Sequence, residues 1–321
     1  MSLDAHIAPN WTSAAGALEG ALAALGTPLA RHAIMGLTGH AWRACLGSRD
    51  GIVALASGPH DLDWEAMSRQ YRRTGWRWER FGTQLSPQDD WAAPRAAAVA
   101  WAIAHLDHGR PLLGFDFHLH EHAVILGYDT SRGGFLVDDI LSDSAGRFSP
   151  WDEWPSAIGV LELLAPIEPL EVDPVDAVGE SLDWALACFA GQDGPPGQAR
   201  GTAALVAWAD ALDGDTHVDR AGNAYMLAVT QAARLDGAAF LADVAEALPP
   251  LAAPLLTAER ALRDEAMTLA PLLSLFPFPA GGHGNVEVPG LRRAAAMALR
   301  SAARFEERAA AAIREALATL G

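Results

Sequence analysis

The stretch His122–Asp139, HAVILGYDTSRGGFLVDD, decides the fold class of the first half of the chain. Its two apolar runs are separated by glycine and polar turn residues, a pattern typical of an antiparallel hairpin. A histidine opens the first run, and an aspartate ends the second. Because the outer ends of a tight hairpin meet, His122 and Asp138 are predicted to lie close together, with Asp139 one position further on.

The segments around this hairpin predict a helical layer packed on an antiparallel sheet. Short apolar runs at Pro111–Phe115 and Gly159–Leu164 indicate further strands, and alternation over Trp76–Phe81 indicates another. Apolar residues at helical spacing predict a buried helix from Ser13 to Leu25, which Gly26 ends. Two more helices are expected at about 61–73 and 90–107.

The second half of the chain has helical periodicity throughout, without strand-like alternation. The proline-rich stretch Pro166–Pro174 favours a linker between the halves. We therefore expect an α+β fold with domains at 1–168 and 175–321, joined by a linker at 169–174, the second domain being all-α. Its helices are predicted at 175–190, 199–212, 221–235, 238–247, 256–274 and 289–320.

Composition excludes several classes of function. The net charge of the 321 residues is −17, and every one of the 23 basic residues is arginine. Binding to nucleic acid is not expected because it needs clustered positive charge, and lysine Schiff-base chemistry is excluded. The two cysteines are far apart, and no secretory signal or apolar transmembrane run is visible. We expect a cytoplasmic protein that does not associate with membranes.

Four kinds of side chain could carry chemistry. Ser13 stands at the head of the first helix, where it is either an N-cap or a nucleophile. An acid beside His122 could orient the imidazole as a general base, or could simply be a turn residue. The alternating row His118, His120 and His122 would form a zinc site if it lay on one strand face. Cys45 and Cys188 stand in apolar segments with helical periodicity and are expected to be buried structural thiols.

Four segments together resemble the N-terminal family of butirosin biosynthesis protein H, a papain-like fold related in pattern to bacteriocin leader peptidases. They are SAAGALEGALAALGTPLARHAIMGLTG from Ser13, GRPLLGFD from Gly109, HAVILGYD from His122 and FLVDD from Phe135. Residues 175–321 resemble the helical domain of unknown function that often follows it, best at NAYMLAV from Asn223. The resemblance spans nearly the whole chain.

The resemblance implies a catalytic triad in which Ser13 replaces the family cysteine. The histidine then falls on His122 and the acid on Asp138, with Asp139 as the alternative. The glutamine that serves the peptidase relatives as oxyanion donor is replaced by Ile7, and Asn10 is the substitute candidate. A catalytic cysteine can be ionised before the substrate binds, whereas a serine hydroxyl cannot. His122 would therefore have to remove the Ser13 proton during attack.

Two functions stay open from the sequence. The first is a papain-like acyltransferase or amide hydrolase of secondary metabolism that acts on a small-molecule, peptide or acyl-carrier substrate. The second is an inactive member of the fold that only binds such a ligand. No cofactor is expected, and the oligomeric state is open, with a homodimer one option. Arg69, Arg72, Arg73, Arg77 and Arg80 form either a solvated face or a docking face for an anionic carrier.

Overall fold

A computed structural model describes residues 3–46, 63–84, 89–142, 146–155, 159–194 and 198–320. The fold is α+β, as expected. Its helices are α1 Ser13–Ala24, α2 Arg31–Thr38, α3 Trp64–Gln70, α4 Ala92–Leu106, α5 Pro174–Phe189, α6 Thr202–Asp213, α7 Arg220–Ala247, α8 Ala252–Leu275 and α9 Pro289–Leu320. Its strands are β1 Cys45–Leu46, β2 Trp76–Gln84, β3 Leu112–Phe115, β4 His122–Asp129, β5 Gly134–Asp138, β6 Arg147–Pro150, β7 Val160–Pro169 and β8 Ala199–Arg200.

The chain divides into two compact units. The first comprises Met1–Ile34 and Ser68–Val172, and the second comprises Met35–Met67 and Asp173–Gly321. The sequence pattern assigned the whole of 1–168 to one domain, whereas residues 35–67 belong to the second unit. No change in composition marks this segment, because its apolar residues are as frequent as those on either side.

The first unit is built on an antiparallel sheet with the strand order β2-β7-β3-β4-β5-β6. Ala123 and Ile125 of β4 pack with Ala102 of α4 in the core. Because side chains alternate along a strand, His122 and Val124 point to the other face. Helix α1 contacts β3 and β4, so the sheet brings the start of β4 to the start of α1.

The N-terminal residues run closely across helix α1. The Ala8 N–H donates to the Gly16 carbonyl at 3.0 Å, and the Leu3 N–H donates to the Leu126 carbonyl at 2.8 Å. A Cβ atom on Gly16 or Gly20 would meet the backbone carbonyls of Ala8 and His6 at 2.2 and 1.8 Å. The two glycines, one helical turn apart, therefore form the notch that holds this segment.

The second unit is a helical assembly around a buried arginine. Arg234 of α7 forms ion pairs with Glu265 of α8, at 3.0 Å, and with Glu306 of α9, and it donates to the Ala41 carbonyl at 2.7 Å. All three charged side chains are fully buried. Burial and the charge of Glu306 raise the pKa of Glu265 despite the opposing charge of Arg234. The network joins three helices to the segment around Ala41.

Several predicted boundaries are wrong in detail. The linker stretch Pro166–Pro174 is strand β7 up to Pro169 and helix α5 from Pro174, which leaves 170–173 between them. Residues 221–235 and 238–247 form one continuous helix, α7, instead of two. Cys45 lies in β1, which pairs with β8, and not in a helix. Both cysteines are buried thiols, as expected.

None of the described helices combines the length and the apolar character needed to cross a lipid bilayer.

Candidate active site

Ser13 and Glu121 form the shortest polar contact at the junction of α1 and β4. The Ser13 hydroxyl donates to Glu121 Oε2 at 2.5 Å and accepts from the His122 backbone N–H at 3.0 Å. The first distance is in the range of a charge-assisted O–H···O⁻ bond. The hydroxyl of a buried serine at a helix N-terminus is therefore polarised by a carboxylate.

His122 and Asp138 share one face of the sheet but form no hydrogen bond with each other. Asp138 is paired in register with Val124, two residues after His122, so their side chains are diagonal neighbours on that face. The His122 ring packs on Phe115, with 5.1 Å between ring centroids. Within the described chain, the Ser13 hydroxyl bonds to the His122 main chain and to Glu121, and not to the imidazole.

Asp138 is held by the N-terminal segment. Its Oδ2 accepts the Ile7 N–H at 3.0 Å and lies 3.2 Å from His6 Nδ1. The carboxylate of Asp138 is therefore bound to residues 6 and 7, in place of the contact with His122 that a triad would need.

Asp139 contacts His118 and not His122. His118 Nδ1 lies 2.9 Å from Asp139 Oδ2, while the Leu141 N–H and the Ser142 hydroxyl donate to Oδ1 at 2.9 and 3.0 Å. Burial alone would raise the pKa of Asp139, but these hydrogen bonds outweigh it and hold the pKa below its ordinary value. Asp139 closes the loop after β5 and is not directed at His122.

The predicted metal-binding row is wrong. Of His118, His120 and His122 only the last lies on β4, because residues 116–121 form the loop that precedes the strand. His118 and His120 are instead paired separately with Asp139 and Asp116. No group of three or more potential ligands occurs among the described residues.

Asn10, three residues before Ser13, is held at the start of α1 by the backbone. Thr12 takes the N-cap position without a side-chain cap bond, and its backbone N–H donates to Asn10 Oδ1 at 2.9 Å. That bond fixes the orientation of the Asn10 amide. Asn10 Nδ2 is buried and makes no hydrogen bond within the described chain. The oxyanion candidate from the sequence thus retains a donor two residues before the cap.

The basic cluster is partly neutralised. Arg77 pairs with Glu168 at 2.7 Å, and Arg80 binds both carboxylate oxygens of Glu162 at 2.6 and 2.7 Å. Arg73 is buried. The charge that this cluster could offer to an anionic carrier is therefore smaller than the sequence suggests.

Sequence reasoning missed Glu121 and His6. Glu121 directly precedes His122, and an acid beside the histidine at the start of a strand is the signal that could have found it. His6 had no comparable signal, because it is 132 residues from Asp138.

No protein-family model matches the chain, and no curated protein is significantly similar to it. The resemblance to the butirosin family therefore stays a prediction.

Proposed function

We propose that the first unit is a papain-like acyl-transfer catalyst in which Ser13 is the nucleophile and Glu121 accepts its proton. The observation that carries this proposal is the 2.5 Å bond from the Ser13 hydroxyl to Glu121 Oε2 at the start of α1. A hydroxyl becomes a competent nucleophile only when an adjacent base takes its proton as the new bond forms. The carboxylate that already accepts this proton is the best-placed base for Ser13.

The surroundings of Ser13 favour the charge that develops during acyl transfer. Attack forms the bond between Ser13 Oγ and the acyl carbon, moves the hydroxyl proton to Glu121 and places negative charge on the carbonyl oxygen. Asn10 Nδ2 and the positive end of the α1 dipole are the stabilising groups for that oxygen. The leaving amine, alcohol or thiol departs with one proton. Water or an acceptor then takes the acyl group, and Ser13 regains its proton.

In this proposal the predicted triad residues have other roles. His122 donates its backbone N–H to Ser13 Oγ and so fixes the direction of the hydroxyl. Asp138 fastens the N-terminal segment through Ile7. The substrate class follows from the resemblance alone: an acyl, peptide or carrier-bound donor.

A fluorophosphonate probe tests the proposal. The expected product is a phosphonylated Ser13, identified by peptide mass spectrometry, because attack on phosphorus expels fluoride and needs the same base. S13A should abolish labelling, and E121Q should slow it by about 100-fold because glutamine accepts the hydrogen bond but not the proton.

The matched control is Ser131, whose hydroxyl also donates to a carboxylate, at 2.6 Å from Asp129 Oδ1, but in the exposed turn after β4. S131A should leave labelling of Ser13 unchanged. Absence of label on Ser13 in the folded wild-type protein would overturn the assignment of Ser13 as a nucleophile.

A specific observation favours a second function, ligand binding without chemistry. Ser13 and Asp138 both use their hydrogen bonds on groups other than the His122 ring. In that case the wild-type protein is inert to the fluorophosphonate, and S13C reacts slowly with iodoacetamide, because the adjacent Glu121 carboxylate disfavours a thiolate. Cys188 is an internal reference, because burial raises its pKa well above the ordinary value.

A further inference from the structure

The loop between β3 and β4, residues 116–121, contains two histidines in different settings. His118 is mostly buried, and both ring nitrogens face oxygen atoms, Asp139 Oδ2 at 2.9 Å and the Phe148 carbonyl at 3.4 Å. The His120 side chain is 58% exposed, while Nδ1 lies 2.6 Å from Asp116 Oδ1. His118 therefore fastens the loop, whereas the His120 ring reaches solvent.

Asp116 is built to hold His120. Its side chain is fully buried, and its φ of +68° lies in the left-handed region, which non-glycine residues adopt only at a cost in conformational energy. Its backbone N–H donates to the Glu121 carbonyl at 3.1 Å, which closes the loop. A buried carboxylate that accepts Nδ1–H fixes the orientation of the ring and the tautomer in which Nε2 is the basic nitrogen. Strain of this kind often accompanies functional sites.

The same loop supplies the carboxylate that binds Ser13. Glu121 follows His120 directly, and Glu121 is the acceptor of the Ser13 hydroxyl. One closed loop thus presents an exposed imidazole and a proton-accepting carboxylate from adjacent residues. Acyl transfer to poor leaving groups needs two proton carriers, since one group removes the proton of the nucleophile while another protonates the departing atom.

We propose that His120, held by Asp116, is a catalytic general acid and base that protonates the leaving group. This inference rests on the proposed function of Ser13. In acylation the Ser13 proton moves to Glu121, the Oγ–acyl bond forms, and the bond to the leaving group breaks as His120 Nε2–H gives that group its proton. In deacylation neutral His120 takes a proton from water or the acceptor, that nucleophile attacks the acyl carbon, and Glu121 returns its proton to Ser13.

Two esters with the same acyl group separate this role from a structural one. p-Nitrophenolate is stable as an anion and leaves without a proton, whereas an alkoxide requires one. H120A should lower kcat/KM, which reports acylation, by about 100-fold for the alkyl ester and by less than about threefold for the p-nitrophenyl ester, while deacylation slows equally for both. D116N should change kcat/KM in the same direction, because an amide holds the Nδ1–H of His120 less firmly than a carboxylate does.

His108 provides the control, because it is an exposed histidine of the same unit with Nδ1 2.6 Å from the Ala104 carbonyl, away from the loop. H108A should leave both rates unchanged. H120Q is a second variant in case H120A is misfolded, and circular dichroism checks both proteins.

The outcomes separate the two proposals. If turnover of the p-nitrophenyl ester depends on Ser13 but H120A and H120Q change kcat/KM for the two esters by equal factors, the role of His120 is overturned and that of Ser13 stands. If the p-nitrophenyl ester is not turned over in a Ser13-dependent manner, both proposals fail.

Discussion

Glu162 is a buried carboxyl group of β7 whose ionisation is tied to the folding of the first unit. Burial raises its pKa from 4.5 to about 7, and the paired Arg80 only partly opposes the shift. The folded state therefore keeps a proton that the unfolded chain loses near pH 4.5. The stabilisation is complete below that pH and is lost as the pH rises towards 7, with an effect on the order of 3 kcal/mol.

Urea unfolding of wild type and E162Q at several pH values between 4.5 and 8 checks this expectation. The free energy of unfolding of E162Q should fall less with rising pH, because glutamine does not titrate. Glu168 is the control, since it lies on the same strand and pairs with Arg77 but is exposed. E168Q should keep the wild-type slope, and an equal slope in E162Q would contradict the raised pKa.

Individual residues of the candidate site were only partly predictable. The sequence predicts that Ser13 begins a helix and that His122 begins a strand, and both predictions are confirmed, because helix and strand starts leave signals in the local pattern. That the Ser13 hydroxyl bonds to Glu121 instead of the His122 imidazole was not predictable, since it depends on the backbone conformation of the loop 116–121. A left-handed aspartate at position 116 sets that turn, and no spacing rule specifies it.

At the scale of elements, the notch that Gly16 and Gly20 form in α1 predicts that a larger side chain there destabilises the protein. G20A places a methyl group 1.8 Å from the His6 carbonyl oxygen, a backbone atom that cannot move without displacing the N-terminal segment. We expect a loss of about 1–3 kcal/mol in the free energy of unfolding, as for other overpacked sites. Urea titration followed by circular dichroism measures it.

Gly179 of α5 is the matched helical control. A Cβ atom there meets only the Leu320 side chain, at an ordinary 3.6 Å. G179A should stabilise the protein by about 0.5–1 kcal/mol through helix propensity. If G20A were as benign as G179A, the close packing of the N-terminal segment on α1 would be wrong.

The predicted boundaries of helices and strands were wrong where a glycine or proline is present for reasons of tertiary packing and does not interrupt the element. Gly237 lies between the predicted helices 221–235 and 238–247, but a Cβ there would lie 2.8 Å from the Trp42 ring, so this glycine makes room inside the continuous helix α7. Pro166 and Pro169 suggested a linker. They are tolerated in β7 because β3 pairs with it only at Leu163 and Leu164 and leaves that edge open further along.

At the scale of the molecule, the second unit depends on a segment far from it in sequence. Trp42 is buried against Phe189 and Phe240, and the Ala41 carbonyl accepts from the buried Arg234. A fragment of residues 173–321 lacks these contacts. We expect it to be less stable by roughly 3–5 kcal/mol, the usual cost of removing a buried tryptophan side chain.

A peptide of residues 35–67 added in trans should raise the melting temperature of that fragment, because it binds only the folded form. A peptide of the same length with Trp42 replaced by alanine is the control and should act more weakly. A melting temperature that neither peptide changes would show that the segment is dispensable. The α+β class was predictable from periodicity. The assignment of residues 35–67 to the second unit was not predictable, because non-local contacts leave no local pattern in the sequence.

The interrupted order of the two units also has a consequence for synthesis on the ribosome. The residues around Trp42 leave the exit tunnel roughly 130 residues before helix α5 in the second segment of their unit, which at about 5–20 residues per second is a delay of about 7–26 s. During that interval the apolar segment has no docking partner from its own unit. Early translation is therefore the stage at which this protein is most exposed to aggregation and to capture by chaperones.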